Sequence, residues 1–333
     1  MDAAALKVGV SFVPLLNTAS RGTIILAYEM LWYNNPKYLR RKEEFISIFK
    51  KWRLDEFTRL PKVIFICGAS DSENRLELEK YYYNETPLRY LFFQAEKAWN
   101  VIKTEYDSIN ALEHEARLAR YSDAILILVE SYGSAAELGA FSLSEELRKK
   151  LLILLNKEFE NDNSFINNGP VPWIDEDSVY KPVIQCNYNV ILDSTEEIEK
   201  RLRRRLDQQK IADDIDYSYK DLLFFITQLI TVLGPISVKH LQMYLNEILN
   251  FDDYQEISLM LSLTCALKLV KNFKSNFYNS NFYYCENFSL LKSIWREDTS
   301  KTLFRERSKM LNTLINIKDY NILLSELRKS HAS

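Results

Sequence analysis

Three unbroken apolar runs restrict the fold of this chain more than any other feature. Val63-Ile64-Phe65-Ile66-Cys67, Ala124-Ile125-Leu126-Ile127-Leu128-Val129 and Leu151 to Leu155 hold no polar residue. A strand with one wet face alternates polar and apolar side chains. A short run without alternation suits a strand covered on both faces. Leu88 to Phe93 reads as a further strand, and Val183-Ile184 and Val190-Ile191-Leu192 as one or two more. Helix-period stretches lie between them, at 73–82, 95–105, 109–121 and 135–149. This alternation predicts an α/β domain over 61–210, a doubly wound, mostly parallel sheet with helices on both faces.

The flanks read differently. Residues 1–60 form a helical N-terminal extension in which Phe45, Ile48, Phe49 and Trp52 share one face. The other face is basic, with Arg40, Arg41, Lys42, Lys50, Lys51 and Arg53, and suits either solvent or a docking partner such as nucleic acid. A helix over 195–210 carries Lys200, Arg201, Arg203, Arg204 and Arg205; the acidic stretch at 206–217 is taken as a domain boundary. Over 211–333 an apolar helix, Leu222 to Leu233, closes at Gly234-Pro235. Ser237 is a good N-cap for a helix over 238–249, a third helix follows at 257–269, and residues 272–284 read as two strands around a polar turn. Three helices and a hairpin outline a winged-helix-type domain for nucleic acid or another partner, with helices over 297–315 and 318–329 closing the chain.

Composition sets limits on function. At 333 residues and 47% apolar, the chain can bury a sizeable core. A net charge of −3 gives no global pull toward nucleic acid or membrane, so any such surface has to be a local patch. Cys67, Cys186, Cys265 and Cys285 are scattered, and only three histidines occur, so disulfides and a zinc site are not expected. The apolar stretch Thr23 to Trp32 is too short to span a bilayer and carries Glu29; the reading is a soluble, cytoplasmic protein without a membrane partner.

Ligands of an open parallel sheet sit beyond the carboxyl ends of the strands. Gly68, Ala69 and Ser70 follow the first run and open a helix, where free backbone N–H groups favour an anion; Arg75 lies one turn on. The segment is neither a Walker loop nor GxGxxG. The loop after the 124–129 run is Glu130-Ser131-Tyr132-Gly133-Ser134, followed by Glu137 among small residues. Glu137 has two readings. One is a first-turn helix stabiliser. The other is a carboxylate facing the crevice, where it screens an oxocarbenium-like sugar or attacks the anomeric carbon of an N-glycoside. Glu115 and Glu130 are candidates for a second acid, though Glu113 and Glu115 cannot both face inward from one helix. In the last third, Lys239, His240, Lys271 and Lys274, with interleaved aromatics, suit a nucleic-acid surface; the same aromatics also suit a core.

Four motifs carry a family resemblance: Ile64-Phe65-x-Cys67-Gly68, Leu112-x-x-Glu115 ahead of Asp123, Glu130-Ser131-x-Gly133-Ser134-x-x-Glu137-Leu138-Gly139, and Ser164-Phe165-Ile166-Asn167-x-Gly169-Pro170. Over about 62–172 the chain resembles the nucleoside deoxyribosyltransferase-like effectors encoded by bacterial retrons. The resemblance implies a toxin-like N-glycosidase of antiphage defence that uses no cofactor and takes NAD+ as one substrate. It implies a retron reverse transcriptase and its multicopy single-stranded DNA/RNA as restraining partners, with scope for higher-order assembly. It puts the key glutamate at Glu137 and the loop after the first strand at Gly68, with Arg75 near the corresponding arginine. Glu115 and Glu130 stay the candidates for a second acid, and Ala69, Ser70, Tyr132, Gly133, Ser134 and Asn167 complete the candidates for the substrate side. The chain departs from the parent transferases, which carry an aspartate where Glu130-Ser131 stands. A non-catalytic nucleotide sensor and a DNA-binding regulator are the competing functions.

Overall fold

A computed structural model describes residues 32–50, 60–86, 89–102, 110–206, 210–212, 215–286, 288 and 297–330. Its centre is a sheet of five strands: β1 (Lys62–Cys67), β2 (Tyr90–Phe93), β3 (Ala124–Leu128), β4 (Leu151–Asn156) and β5 (Ile184–Cys186). Their order is β2-β1-β3-β4-β5, and every neighbouring pair is parallel. Val63, Phe65 and Cys67 enter one apolar layer, and Ile64 and Ile66 the other. Both layers are dry, which accounts for the absence of alternation in these runs.

Helices cover both faces. Leu78 and Tyr82 of α2 (Glu73–Glu85) pack on one side. On the other lie α3 (Ala95–Ile102), α4 (Ala111–Tyr121) and α5 (Tyr132–Leu143), with Ala98, Leu118 and Phe141 buried. The helix expected over 135–149 is two helices. α5 begins three residues early because Ser131 and Ser134 form a capping box, and it stops where Ser144 turns extended and caps α6 (Glu145–Arg148). Two short helices, α7 (Phe165–Asn168) and α8 (Pro170–Asp177), lead to β5.

The strand expected at 190–192 does not form. Residues 188–194 are two 3-10 turns separated by a kink at Val190; Val190 and Leu192 are exposed and only Ile191 of the three is buried, so the run has no second face to cover. The basic helix expected over 195–210 is shorter as α9 (Thr195–Leu202). Arg204 donates to the Val179 carbonyl at 3.0 Å, and both Arg201 and Arg204 reach the Lys181 carbonyl. Two of its arginines are therefore structural ties.

A small antiparallel pair, β6 (Lys210–Ala212) and β7 (Ile215–Ser218), occupies the stretch read as a boundary. Beyond it come α10 (Tyr219–Leu233), β8 (Ile236–Ser237), α11 (Val238–Leu249), α12 (Tyr254–Ala266), β9 (Lys271–Ser275) and β10 (Ser280–Tyr284). The three strands form an antiparallel sheet in the order β8-β10-β9. α13 (Glu297–Leu314) and α14 (Lys318–Ser330) follow.

The apolar core runs through the join without interruption: Phe65, Phe93 and Phe141 belong to the same buried cluster as Leu223, Phe225 and Leu229 of α10. Every α10 residue except Tyr219 and Asp221 is buried. Lys220 reaches down to Asp123, just before β3, at 3.0 and 2.8 Å from its two oxygens. The same carboxylate accepts from Val63 N–H at 2.8 Å. Glu256 of α12 also accepts from Arg117 at 2.6 Å and from the Tyr121 hydroxyl, both on α4.

The N-terminal helix α1 (Pro36–Phe49) is part of this body. Phe45 packs edge-on to Tyr244, and Phe49 edge-on to Phe225. Two members of its basic face are spoken for: Arg41 pairs with the fully buried Glu306, and Lys42, itself buried, pairs with Glu247. Lys51, Trp52 and Arg53 lie outside the described residues. Among the described residues no helix is long and apolar enough to cross a membrane, and no cluster of His, Cys, Asp and Glu could hold a metal ion.

Candidate active site

β1, β2 and β3 deliver a group of acids to their carboxyl ends. β1 ends at Cys67, whose buried side chain faces the α5 side. Glu137 stands in the second turn of α5, half-buried, and its Oε2 atom is fully buried without a hydrogen-bond partner. An unsatisfied carboxylate oxygen in such a place is costly. Burial pushes the Glu137 pKa up to about 7, and the carboxylate of Glu115 adds to the rise; the Cys67 thiol and Arg75 pull the other way. Glu115, half-buried on α4, is raised by its own burial and then by Glu96. Cys67 is raised by burial and by Glu137, so it rests as a thiol and not a nucleophilic thiolate. Near neutral pH Glu137 is therefore poised between its acid and carboxylate forms.

Arg75 is buried at the edge of this group. It pairs with Glu96 at 2.8 Å and donates to the Ser70 carbonyl at 3.2 Å, while its Nε has no partner. Glu96 is absent from the sequence-based candidates, and Cys67 enters them as a strand and motif residue without a role in the site. The rule that sites lie past strand ends pointed to Glu96, three residues beyond β2, but the residue was masked by its place in an ordinary helix start. Gln94, immediately after β2, is buried and keeps its Nε2 without a partner.

The turn after β1 does not present the anion cradle that its composition suggests. Ala69 N–H already donates to Glu130 Oε1 at 3.1 Å, and the Asn74 amide reaches the other oxygen at 3.4 Å. Ser70 gives its carbonyl to Arg75. A Cβ at Gly68 would lie 2.8 Å from Glu130 Oε1, so the glycine makes room for that carboxylate and not for phosphate. Gly68→Ala should displace Glu130 from Ala69 and cost about 1 kcal/mol of stability; thermal unfolding of the two proteins checks it, and an unchanged midpoint would show that Glu130 is not held there.

The remaining candidates lie on the other flank of α5. A cleft of about 650 Å³ opens past β3 and β4, lined by Glu130, Tyr132, Phe159, Asp162 and Asn167 among others. Tyr132 is almost wholly exposed, and Gly133 is exposed as well. Ser134 is buried, and its hydroxyl is bonded to the N–H groups of Glu130 and Ser131, so it caps the helix and does not face a ligand. Asn167 holds the Phe159 and Asp162 carbonyls at 2.9 Å each, organising its own loop. Glu130 is shared by both flanks and stands between the cleft and the turn at Gly68.

In the C-terminal part, Lys239, Lys271 and Lys274 are exposed, with Lys271 paired to Glu286. His240 is not a surface residue. It is 1% exposed, stacked on Tyr33 at 4.5 Å, and burial drives its pKa down to about 3, so it is a neutral core side chain. Phe282 and Tyr283 are likewise core.

The proteins that this chain is similar to are assigned to retrons. Residues 71–272, more than half of the chain, match the family described as STM3845 retron effector protein, and the chain belongs to that family. It is 28% identical over 290 residues to an Escherichia coli protein of retron Ec73 that bears the provisional name ribosyltransferase/DNA-binding protein, covering 77% of this chain and 90% of that one. The similarly named protein of retron Ec86, also from Escherichia coli, is 32% identical over 146 residues, 42% of this chain and 47% of its own.

Proposed function

We propose that this retron effector is the toxin-like arm of an antiphage defence system and hydrolyses the N-glycosidic bond of a nucleotide, NAD+ being the favoured substrate. The observation that carries the reading is Glu137: a half-buried carboxyl with one orphaned oxygen, titrating near neutrality beside Glu115 and Arg75. The sheet is read as a nucleoside deoxyribosyltransferase-like fold over 61–210, and α10 to β10 as a winged-helix-type module. The retron reverse transcriptase and its RNA–DNA product are the partners that hold the enzyme inactive. The ribosyltransferase name of the two Escherichia coli relatives agrees with glycosyl chemistry.

In this reading, ionised Glu137 faces the anomeric carbon. The C–N bond breaks with its electron pair passing to the base, and the carboxylate screens the positive sugar or forms an ester with it. Water then adds its hydroxyl to that carbon and yields its proton to the carboxylate and on to solvent. When the base is the nicotinamide of NAD+, the departing pair cancels the ring's positive charge, so no proton has to be delivered to it. Glu130 and Glu115 are positioning acids, Glu130 through the turn at Gly68 and Glu115 by holding the Glu137 pKa up.

Chromatography of NAD+ and of deoxynucleosides after incubation with the protein tests the reading: a free base should appear. Ligand binding without release of base would instead favour a nucleotide sensor. The pH dependence is a sharper check. Activity on NAD+ should climb along a single ascending limb centred near pH 7, as Glu137 ionises, and then level off. A rate that falls as pH passes 7 would remove the ionised carboxylate from the mechanism.

A further inference from the structure

Two buried groups of opposite charge meet in the candidate site and do not pair. Glu137 Oε2 and Arg75 Nε are both buried atoms without a hydrogen-bond partner. The Arg75 charge is near enough to pull the Glu137 pKa down, yet it ranks behind burial, Glu115, the Cys67 thiol and Glu96. An arginine and a carboxylate that share a site ordinarily join through two parallel N–H···O bonds. Here the guanidinium is engaged elsewhere. Its Nη2 pairs with Glu96 at 2.8 Å and donates to the Ser70 carbonyl at 3.2 Å.

Glu96 is well placed to hold it. It lies in the first turn of α3, where the helix dipole favours a carboxylate. Its side chain is 51% exposed, against 4% for that of Arg75. A buried guanidinium needs a partner, and an acid at the rim supplies one while keeping half of its own surface in water. The two half-buried carboxylates deeper in the group, Glu137 and Glu115, form no ion pair with Arg75 among the described residues.

We propose that Glu96 is a positioning residue for Glu137: it holds the Arg75 guanidinium at the rim, on Ser70, so that the cation does not close onto the unpartnered Glu137 oxygen. A carboxylate already joined to a guanidinium meets a positive sugar with its charge largely spent. With Arg75 diverted, Glu137 stays uncommitted until substrate arrives. The consequence for rate rests on the hydrolysis reading given above; the diversion of Arg75 does not.

The test is an NMR titration of the full chain carrying glutamate isotope-labelled at the side-chain carboxyl, with the Glu137 resonance assigned by its loss in Glu137→Gln. The groups facing that carboxyl are Cys67 from β1, Arg75 from α2, Glu96 from α3 and Glu115 from α4. The parent midpoint should lie near 7. In Glu96→Gln the released guanidinium turns onto Glu137, and the midpoint should fall to about 6 or lower. Deleting the Glu96 charge contributes to any fall, so the substitution is repeated in Arg75→Met, where it should move the midpoint less than about half as far. Glu77→Gln removes an exposed acid of α2 and should leave midpoint and activity as in the parent. An unmoved midpoint in Glu96→Gln would overturn the proposal, as would equal falls in the two backgrounds, which would make Glu96 a bare charge. On NAD+, Glu96→Gln should lower kcat about tenfold with KM within about twofold, the ascending limb moving with the titration; a change confined to KM would count against it. If the titrations behave as stated and no variant releases free base, the hydrolysis reading fails while the role of Glu96 in holding Arg75 stands.

Discussion

Glu137→Gln should fold as the parent does and lose nucleotide hydrolysis by a factor of about 10²–10³, the scale seen when a group that stabilises charge only in the transition state is removed. Glutamine keeps the size and can sit beside Cys67, but it cannot carry the negative charge that meets the sugar cation. The same variant has a signature in stability. Glu137 is raised from the ordinary glutamate value of 4.5 to about 7. A raised carboxyl favours the fold while protonated: its contribution is whole below pH 4.5 and is lost as the pH climbs through 7. The parent should therefore weaken relative to Glu137→Gln between pH 5 and 8, by up to about 3 kcal/mol. Thermal unfolding at the two pH values, beside product chromatography, separates the outcomes. Full activity in the variant would remove Glu137 from the chemistry. A stability difference that does not change with pH would show the carboxyl to be solvated.

Lys220→Met should destabilise the chain by about 3–5 kcal/mol, the cost of leaving one half of a buried ion pair behind. The Lys220 ammonium and the Asp123 carboxylate are each only about a tenth exposed, and the pair ties α10 to the amino end of β3. Methionine fills the space of the lysine stem but leaves the Asp123 charge in a dry site. Asp123→Asn added to Lys220→Met should recover part of the loss, because the amide oxygen can still accept from Val63 N–H. Urea unfolding of the three proteins measures this. A single variant within about 0.5 kcal/mol of the parent would show that the pair contributes nothing beyond packing.

The strands were legible because burial on both faces leaves an unbroken apolar run, as in 63–67, 124–128 and 151–155; the like run Leu222 to Ile226 belongs to the longer apolar helix α10, so length and flanks tell the two apart. Residues 190–192 show the limit: three apolar residues suffice for a strand on paper, yet without a neighbour to cover both faces they coil. Glu137 stood out because small residues surround it. The charge around it did not, since Glu115 and Glu96 come to it from different helices and pairing across sequence leaves no periodic trace. Ser134 and Ala69 misled for a related reason. Both are polar turn groups of the kind that bind anions, but their hydrogen bonds are spent on Ser131 and Glu130. Lys220 and Asp123, 97 residues apart, and the burial of His240 under Tyr33 depend wholly on how the elements dock.

The hydrophobic layer that passes unbroken from the sheet into α10 has a consequence for how such an effector can be switched. A restraint that worked by prising the C-terminal half off its neighbour would strip water-averse surface bare along the whole of α10 and strand Asp123, which amounts to partial unfolding. If the proposed restraint acts on this chain, it would have to work without parting the two halves. A severed sheet fragment ending at the 206–217 stretch would, on the same grounds, precipitate when expressed alone.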